Sequence, residues 1–153
     1  MEQEIVNNWG LDWAWALPLI VVTVLIHAYG LGFIGKEVMA TLRGAGRLRS
    51  LSAASVFAMG GTALSATILH AIEGVVWASA YCLLGALLDF KSAMLYSLSA
   101  MTSYGHENLT LAPRWQMMGA LEALNGWILF GLTAAFLFNV MQKAWTRTHN
   151  ETV

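Results

Sequence analysis

Charge is so sparse in this chain that the charged residues themselves divide it into segments. Residues 13–35 form a run of 23 without Asp, Glu, Lys or Arg. About 20 predominantly apolar residues cross the ~30 Å hydrocarbon core of a bilayer. The run therefore predicts a transmembrane helix, drawn at 12–35, with Pro18 in its first turns, where a missing N–H costs least. A signal peptide is the rival reading. The acidic start (Glu2, Glu4) and the lack of a positive leading region count against it.

Residues 51–88 are interrupted only by His70 and Glu73. As one helix they would reach ~57 Å, nearly twice the hydrocarbon core. No polar turn divides them into two antiparallel spans. One long helix at about 51–84 is expected, with Gly60-Gly61 as a place for a kink and a short connection near Gly85. A third span, at about 114–143, carries Glu122 as its one charge between Trp115 and Gln142.

Composition agrees with a membrane assignment. The chain is 58% hydrophobic and 11% charged, against about 25% charged residues in ordinary globular proteins. So little charge does not cover a water-facing surface. A net charge of −1 offers no basic field for nucleic acid. The single cysteine, Cys82, excludes an internal disulfide, and no zinc-type Cys/His spacing is present. Lys36, Arg43, Arg47 and Arg49 in the expected 35–50 loop, with Lys143 and Arg147 in the tail, hold six of the eight basic residues. Three spans put that loop and tail on one side, so the basic-side rule sets them cytoplasmic and the N-terminus outside. The expectation is an all-α, multi-pass protein of the cell membrane, a single domain over 1–153.

Residues 89–101 (DFKSAMLYSLSAM) predict a short helix capped by Asp89. Its ~20 Å does not cross a bilayer. The polar run 102–108 follows, and the chain then returns to Pro113 and the third span. This is the pattern of a re-entrant loop, tolerated at membrane depth only where protein buries it or water lines it. An external loop with an interfacial helix is the alternative.

Three pieces, LHAIEGVVWASAYCLLGALLDF (69–90), AMLYSLSAMTSYG (93–105) and WQMMGALEALNGWILFGLTAAFLF (115–138), together resemble the pore module of the tetrameric potassium-channel superfamily. The likeness is to small bacterial three-span members and covers roughly half the chain. The third piece carries a Gly-x-x-x-Phe-Gly-Leu run, Gly126 to Leu132, 22 residues after Tyr104. The resemblance implies an outer helix at 51–84, a pore helix at 89–101, a filter at 101–107 and an inner helix at 114–143. It also implies a homotetramer in the lipid bilayer, with no cofactor beyond the permeant ion and no enzymatic activity. In such a filter, four copies line an axis with backbone carbonyls that replace the ion's hydration shell.

Set against the family motif Thr-Val-Gly-Tyr-Gly, Tyr104-Gly105 match its last pair. Ser103 then falls on the first glycine, Thr102 on the valine and Met101 on the threonine. A one-residue slide, with Thr102 at the threonine, shortens the filter instead. Left-handed backbone at Ser103 costs ~1 kcal/mol or more relative to glycine. Met101 supplies no hydroxyl ring. His106 and Glu107 follow at the outer mouth, where the family carries an aspartate. These departures leave the ion open between potassium, sodium and a non-selective monovalent pore. Gly126 matches the family's gating hinge, or serves close helix packing.

Ionisable side chains inside spans are costly and usually functional. Counting along the helices places His70, Glu73 and Glu122 in the outer half, where they are expected to form one polar cluster behind the pore helix. The same count places His27 ~22 Å down from the outer side, away from His70. That separation counts against a bis-histidine haem. A non-conducting structural or regulatory subunit and a haem or metal membrane enzyme stand as the alternative functions.

Overall fold

In a computed structural model, residues 9–45, 51–105 and 108–150 are described. Helix α1 is Trp9–Ala45, α2 Leu51–Leu83, α3 Phe90–Met101 and α4 Gln116–Asn150, with a 3-10 turn Pro113–Trp115 leading into α4. Among the described residues there is no strand. Three segments, Trp9–Thr41, Val56–Leu83 and Pro113–Lys143, are long and apolar enough to cross a membrane.

The helices are longer than the charge pattern alone implies. α1 continues to Ala45, so most of the described part of the expected 35–50 loop is helix. Residues 36–42 (KEVMATL) are mostly good helix formers, and no breaker intervenes before Gly44. α4 likewise runs on through the basic tail to Asn150. Because α1 begins at Trp9, Pro18 lies in its third turn rather than its first. Helices in lipid tolerate this where neighbouring groups re-satisfy the freed carbonyl. α2 passes through Gly60-Gly61 without interruption.

α1, α2 and α4 pack against one another, and α3 packs against α2 and α4. Two apolar clusters mark the ends of the bundle. One gathers Ala16, Trp77, Tyr81, Ala93, Trp115 and Met118 where α3 meets the three long helices. The other joins Val38, Ala58 and Val140, with Ile34 and Phe136, at the opposite end. Between them the buried faces turn polar. On α1 the buried residues Asp12, Ala16, Thr23, His27, Leu31 and Val38 recur at steps of four and seven, one helix face. The large apolar side chains Val21, Leu25, Phe33, Phe57, Leu64 and Phe130 face outward. That arrangement suits lipid, where burial of apolar area gives no drive and packing with hydrogen bonding holds helices together.

Both ends of the α2–α3 connection are made by the backbone. α2 closes with Gly85 at φ +64°, its N–H donating to Cys82 O (3.2 Å) while that of Ala86 donates to Tyr81 O (2.9 Å). These are the paired bonds of a Schellman cap, which favours glycine at the left-handed position. α3 then starts at Asp89, which accepts from Ser92 N–H (2.8 Å) and the Ser92 hydroxyl (3.0 Å). The Ser92 amide and hydroxyl hold the Asp89 carboxyl below the usual carboxylate range. The expected cap and connection are therefore both present.

The closest approach of another helix's backbone to a glycine is at Gly126. A Cβ there would stand 2.6 Å from Met101 Cα and 2.7 Å from its carbonyl carbon, so α4 admits the end of α3 only through a missing side chain. Gly60, by contrast, has open space around it. Gly126→Val is expected to destabilise the protein by about 1–3 kcal/mol through overpacking. Gly60→Ala leaves stability unchanged or raises it by up to about 1 kcal/mol. Thermal unfolding in detergent, read by circular dichroism, checks the contrast.

Candidate functional site

Glu73 sits at the meeting of α1, α2 and α4 and is fully buried. Its Oε1 lies 2.8 Å from His27 Nδ1, and its Oε2 lies 3.2 Å from His70 Nδ1, one turn earlier on α2. The second contact is an ion-pair distance without hydrogen-bond alignment, so Oε2 has no hydrogen-bond partner. On the far side of both rings stands Thr133 of α4. Its Oγ1 is 2.9 Å from His27 Nε2 and 3.1 Å from His70 Nε2. The two imidazoles lie 5.0 Å apart, tilted by 41°. His27 is fully buried, whereas the His70 side chain is 27% exposed.

This corrects two expectations. His27 is not remote from His70, and Glu122 does not join Glu73 in one hydrogen-bonded cluster. The depth count took the helix ends for the membrane edges. α1 and α2 both overrun the basic side, so His27 and His70 fall near the middle of their candidate spans and meet there. A haem does not fit between them. The rings are too close for an intervening macrocycle, and Glu73 and Thr133 bridge both of their edges.

Glu122 belongs to a second group, nearer α3. Its Oε2 accepts from the Tyr81 hydroxyl of α2 (2.5 Å), and its Oε1 accepts from the Ser97 hydroxyl of α3. Tyr96 packs edge-on against Tyr81 at 5.5 Å. Glu122 thus ties α4 to both the long helix before α3 and α3 itself. Two further buried bonds fasten α1 to α4. Asn125 Nδ2 donates to Thr23 Oγ1 (2.8 Å), and Met118 N–H, in the first turn of α4, donates to Asp12 Oδ1 (3.1 Å). Asp12, Thr23, Tyr81, Ser97, Asn125 and Thr133 were not singled out by sequence reasoning. Their signal was available: polar residues three, four, eight or eleven apart along an apolar span share one helix face.

The segment after α3 is a capped helix end. Thr102 N–H donates to Leu98 O (3.2 Å), Ser103 N–H to Ala100 O (2.9 Å) and Tyr104 N–H to Ser99 O (2.9 Å). Ser103 has φ +55° and Gly105 φ +70°. The left-handed backbone expected at Ser103 is present, and the Schellman closure explains it. In a planar trans peptide the N–H and C=O point in opposite directions. Since the N–H groups of Ser103 and Tyr104 point back into α3, the carbonyls of Thr102 and Ser103 point off its C-terminus, while the Met101 carbonyl oxygen faces Gly126 of α4. The Thr102 and Ser103 carbonyls add to the negative end of the helix dipole.

The other filter candidates divide. The Met101 side chain is buried, and the Thr102 hydroxyl donates back to Leu98 O (2.9 Å) rather than outward. Ser103 Oγ accepts from Trp127 Nε1 of α4 (2.9 Å). Tyr104 is 80% exposed. His106 and Glu107, assigned to the outer mouth, lie outside the described residues. Gly126 receives the Met101 backbone, which gives it a packing role whether or not it bends.

Two pairs of substitutions test these assignments. Ser103→Ala loses the Trp127 bond and keeps the left-handed strain, whereas Ser103→Gly loses the bond and relieves the strain. Ser103→Gly is expected to be the more stable by about 1 kcal/mol. Glu122→Leu strands two buried hydroxyls and is expected to cost about 2 kcal/mol or more. In Glu122→Gln the amide still bonds both hydroxyls, so the cost is smaller. Unfolding midpoints of the four variants give the two orderings.

Compared with models of known protein families, with curated proteins and with solved structures, the chain matches none.

Proposed function

We propose that this chain is the subunit of a pore-loop channel for monovalent cations, potassium or a less selective set, and that several copies surround the axis. α3 is its half-depth pore helix, re-entering from the outer side, with the N-terminus outside and the basic ends cytoplasmic. One observation carries the reading. The carbonyls of Thr102 and Ser103 leave the C-terminus of a 12-residue helix whose end packs, through the Met101 backbone, at Gly126, well along α4 rather than at its tip. Carbonyl oxygens and the negative end of a helix dipole are the groups that replace water around a cation in lipid.

Support also comes from the backbone between Ser103 and Gly105. Positive φ at both, on either side of Tyr104, is backbone of the kind a carbonyl-lined filter passes through. Glu122, through Tyr81 and Ser97, braces α3 from behind. In the homotetramer the Leu124, Trp127 and Ile128 face of α4, exposed in the single chain, is shared between neighbouring copies and lipid. No cofactor is needed beyond the permeant ion, and the chain carries out no chemical step.

A second reading, a non-conducting structural subunit, draws on the helix cap itself. The Schellman closure accounts for Ser103 with no ion present, and neither Met101 nor Thr102 turns an oxygen of its side chain outward.

Flux separates the two. Protein reconstituted in liposomes is expected to pass potassium or sodium but not chloride, and native mass measurement is expected to give a tetramer. Gly105→Val, which forces a branched side chain onto φ +70°, is expected to reduce flux at least tenfold while insertion and oligomer size are unchanged. Absence of cation flux, or flux indifferent to Gly105→Val, removes the channel reading in favour of the structural one.

A further inference from the structure

Two imidazoles and a carboxylate converge in the middle of the bundle, and their nitrogens are arranged in a matched way. Both rings present Nδ1 to Glu73, at 2.8 and 3.2 Å, and both present Nε2 to Thr133, at 2.9 and 3.1 Å. The Thr133 hydroxyl has a single proton, so it donates to one Nε2 at most. Its oxygen has two lone pairs and accepts from two N–H groups. Thr133 is satisfied in two ways: it donates to His27 Nε2 and accepts from His70 Nε2–H, leaving His27 Nδ1–H to donate to Glu73, or it accepts from N–H on both Nε2 atoms. In the second, both Nδ1 lone pairs are directed at one carboxylate, the arrangement of a cation site. Lone pairs of two imidazoles and a carboxylate do not attract one another; a cation among them resolves the conflict.

We propose that His27 Nδ1, His70 Nδ1 and the Glu73 carboxylate bind a divalent first-row transition-metal ion of the zinc type, with Thr133 holding the two rings by their Nε2–H groups. The donor atoms of the three residues lie within 4.8 Å of one another. Zinc-to-ligand distances are about 2.0–2.2 Å, so neighbouring donors in such a shell stand roughly 3 Å apart. The Nδ1-to-carboxylate spacings already have that size. Two further observations point the same way. Glu73 Oε2 is buried without a hydrogen-bond partner, an orphaned acceptor that an ion satisfies. Thr133 plays the part of the outer group that fixes the tautomer and orientation of metal-bound histidines. Two nitrogen donors select against calcium and magnesium, which take oxygen ligands. The inference does not rest on the channel reading, since it concerns the contacts of α1, α2 and α4.

The test uses the full chain, purified in detergent without a polyhistidine tag and treated with chelator. Titration with cobalt(II), a visible stand-in for zinc, is expected to give absorption bands of a low-coordinate site saturating at about one ion per chain, and zinc is expected to displace them. His70→Ala keeps the 2.8 Å His27–Glu73 pair and so retains the fold, checked by elution volume. It is expected to lose at least tenfold in affinity. Thr133→Val, which touches no metal, is expected to weaken binding roughly tenfold to a hundredfold. On the wild-type chain, nitrogen NMR of labelled histidine is expected to show zinc shifting Nδ1, not Nε2, of two residues. No saturable bands, bands unchanged in His70→Ala, or coordination through Nε2 would overturn the proposal.

Discussion

The buried carboxylate of Glu73 sets the terms for the bundle. An ionised carboxyl taken from water into a low-dielectric interior costs several kcal/mol unless partners surround it. Here the partners come from different helices: His27 from α1, His70 from α2 itself and, one step out, Thr133 from α4. The three long helices are therefore held in one register, because a slip of any of them strands a charge. Each hydrogen bond between helices in lipid is worth only about 0.6 kcal/mol on average. The specificity lies in the cost of breaking the set rather than in the strength of any member. Apolar contacts cannot supply it, since lipid offers Leu and Val an equally good environment.

The same logic is repeated one layer away. Glu122 takes Tyr81 from α2 and Ser97 from α3, and Asn125 takes Thr23 from α1. A short helix such as α3 has little surface with which to hold its place. It is fixed by that carboxylate at its middle, by Asp89 at its start, and by the backbone contact between Met101 and Gly126 at its end. α3 is thus held at three points along its length, two of them from α4 and one from its own N-cap. The two polar layers have different work. The Glu122 layer aims α3, and the Glu73 layer registers the helices behind it.

Several features were legible in the chain before folding. The three spans, the Asp89 cap, the break near Gly85 and the short helix up to Met101 follow from charge spacing, capping chemistry and length. The left-handed backbone at Ser103 has a helix cap as its physical cause. The partners of the ionisable residues were read wrongly. His27 was set apart from His70, and Glu122 was grouped with Glu73, because depth was counted from helix ends that overrun the basic side. The polar stripe that would have corrected this is written at helical spacing, as Asp12, Thr23 and His27 on α1 and Glu122, Asn125 and Thr133 on α4.

By itself, the sequence determined that three segments are long and apolar enough to cross a membrane, because this depends on how many consecutive residues lack charge, a one-dimensional property. It also determined the break at Gly85 and the start at Asp89, since caps act over four or five residues, but not that α1 and α4 run on through their basic ends. Which polar atom meets which was decided only by the tertiary structure. That choice depends on how three tilted helices are shifted and rotated relative to one another. Shifts of a single turn, 5.4 Å, are invisible in composition and large enough to exchange every partner of Glu73.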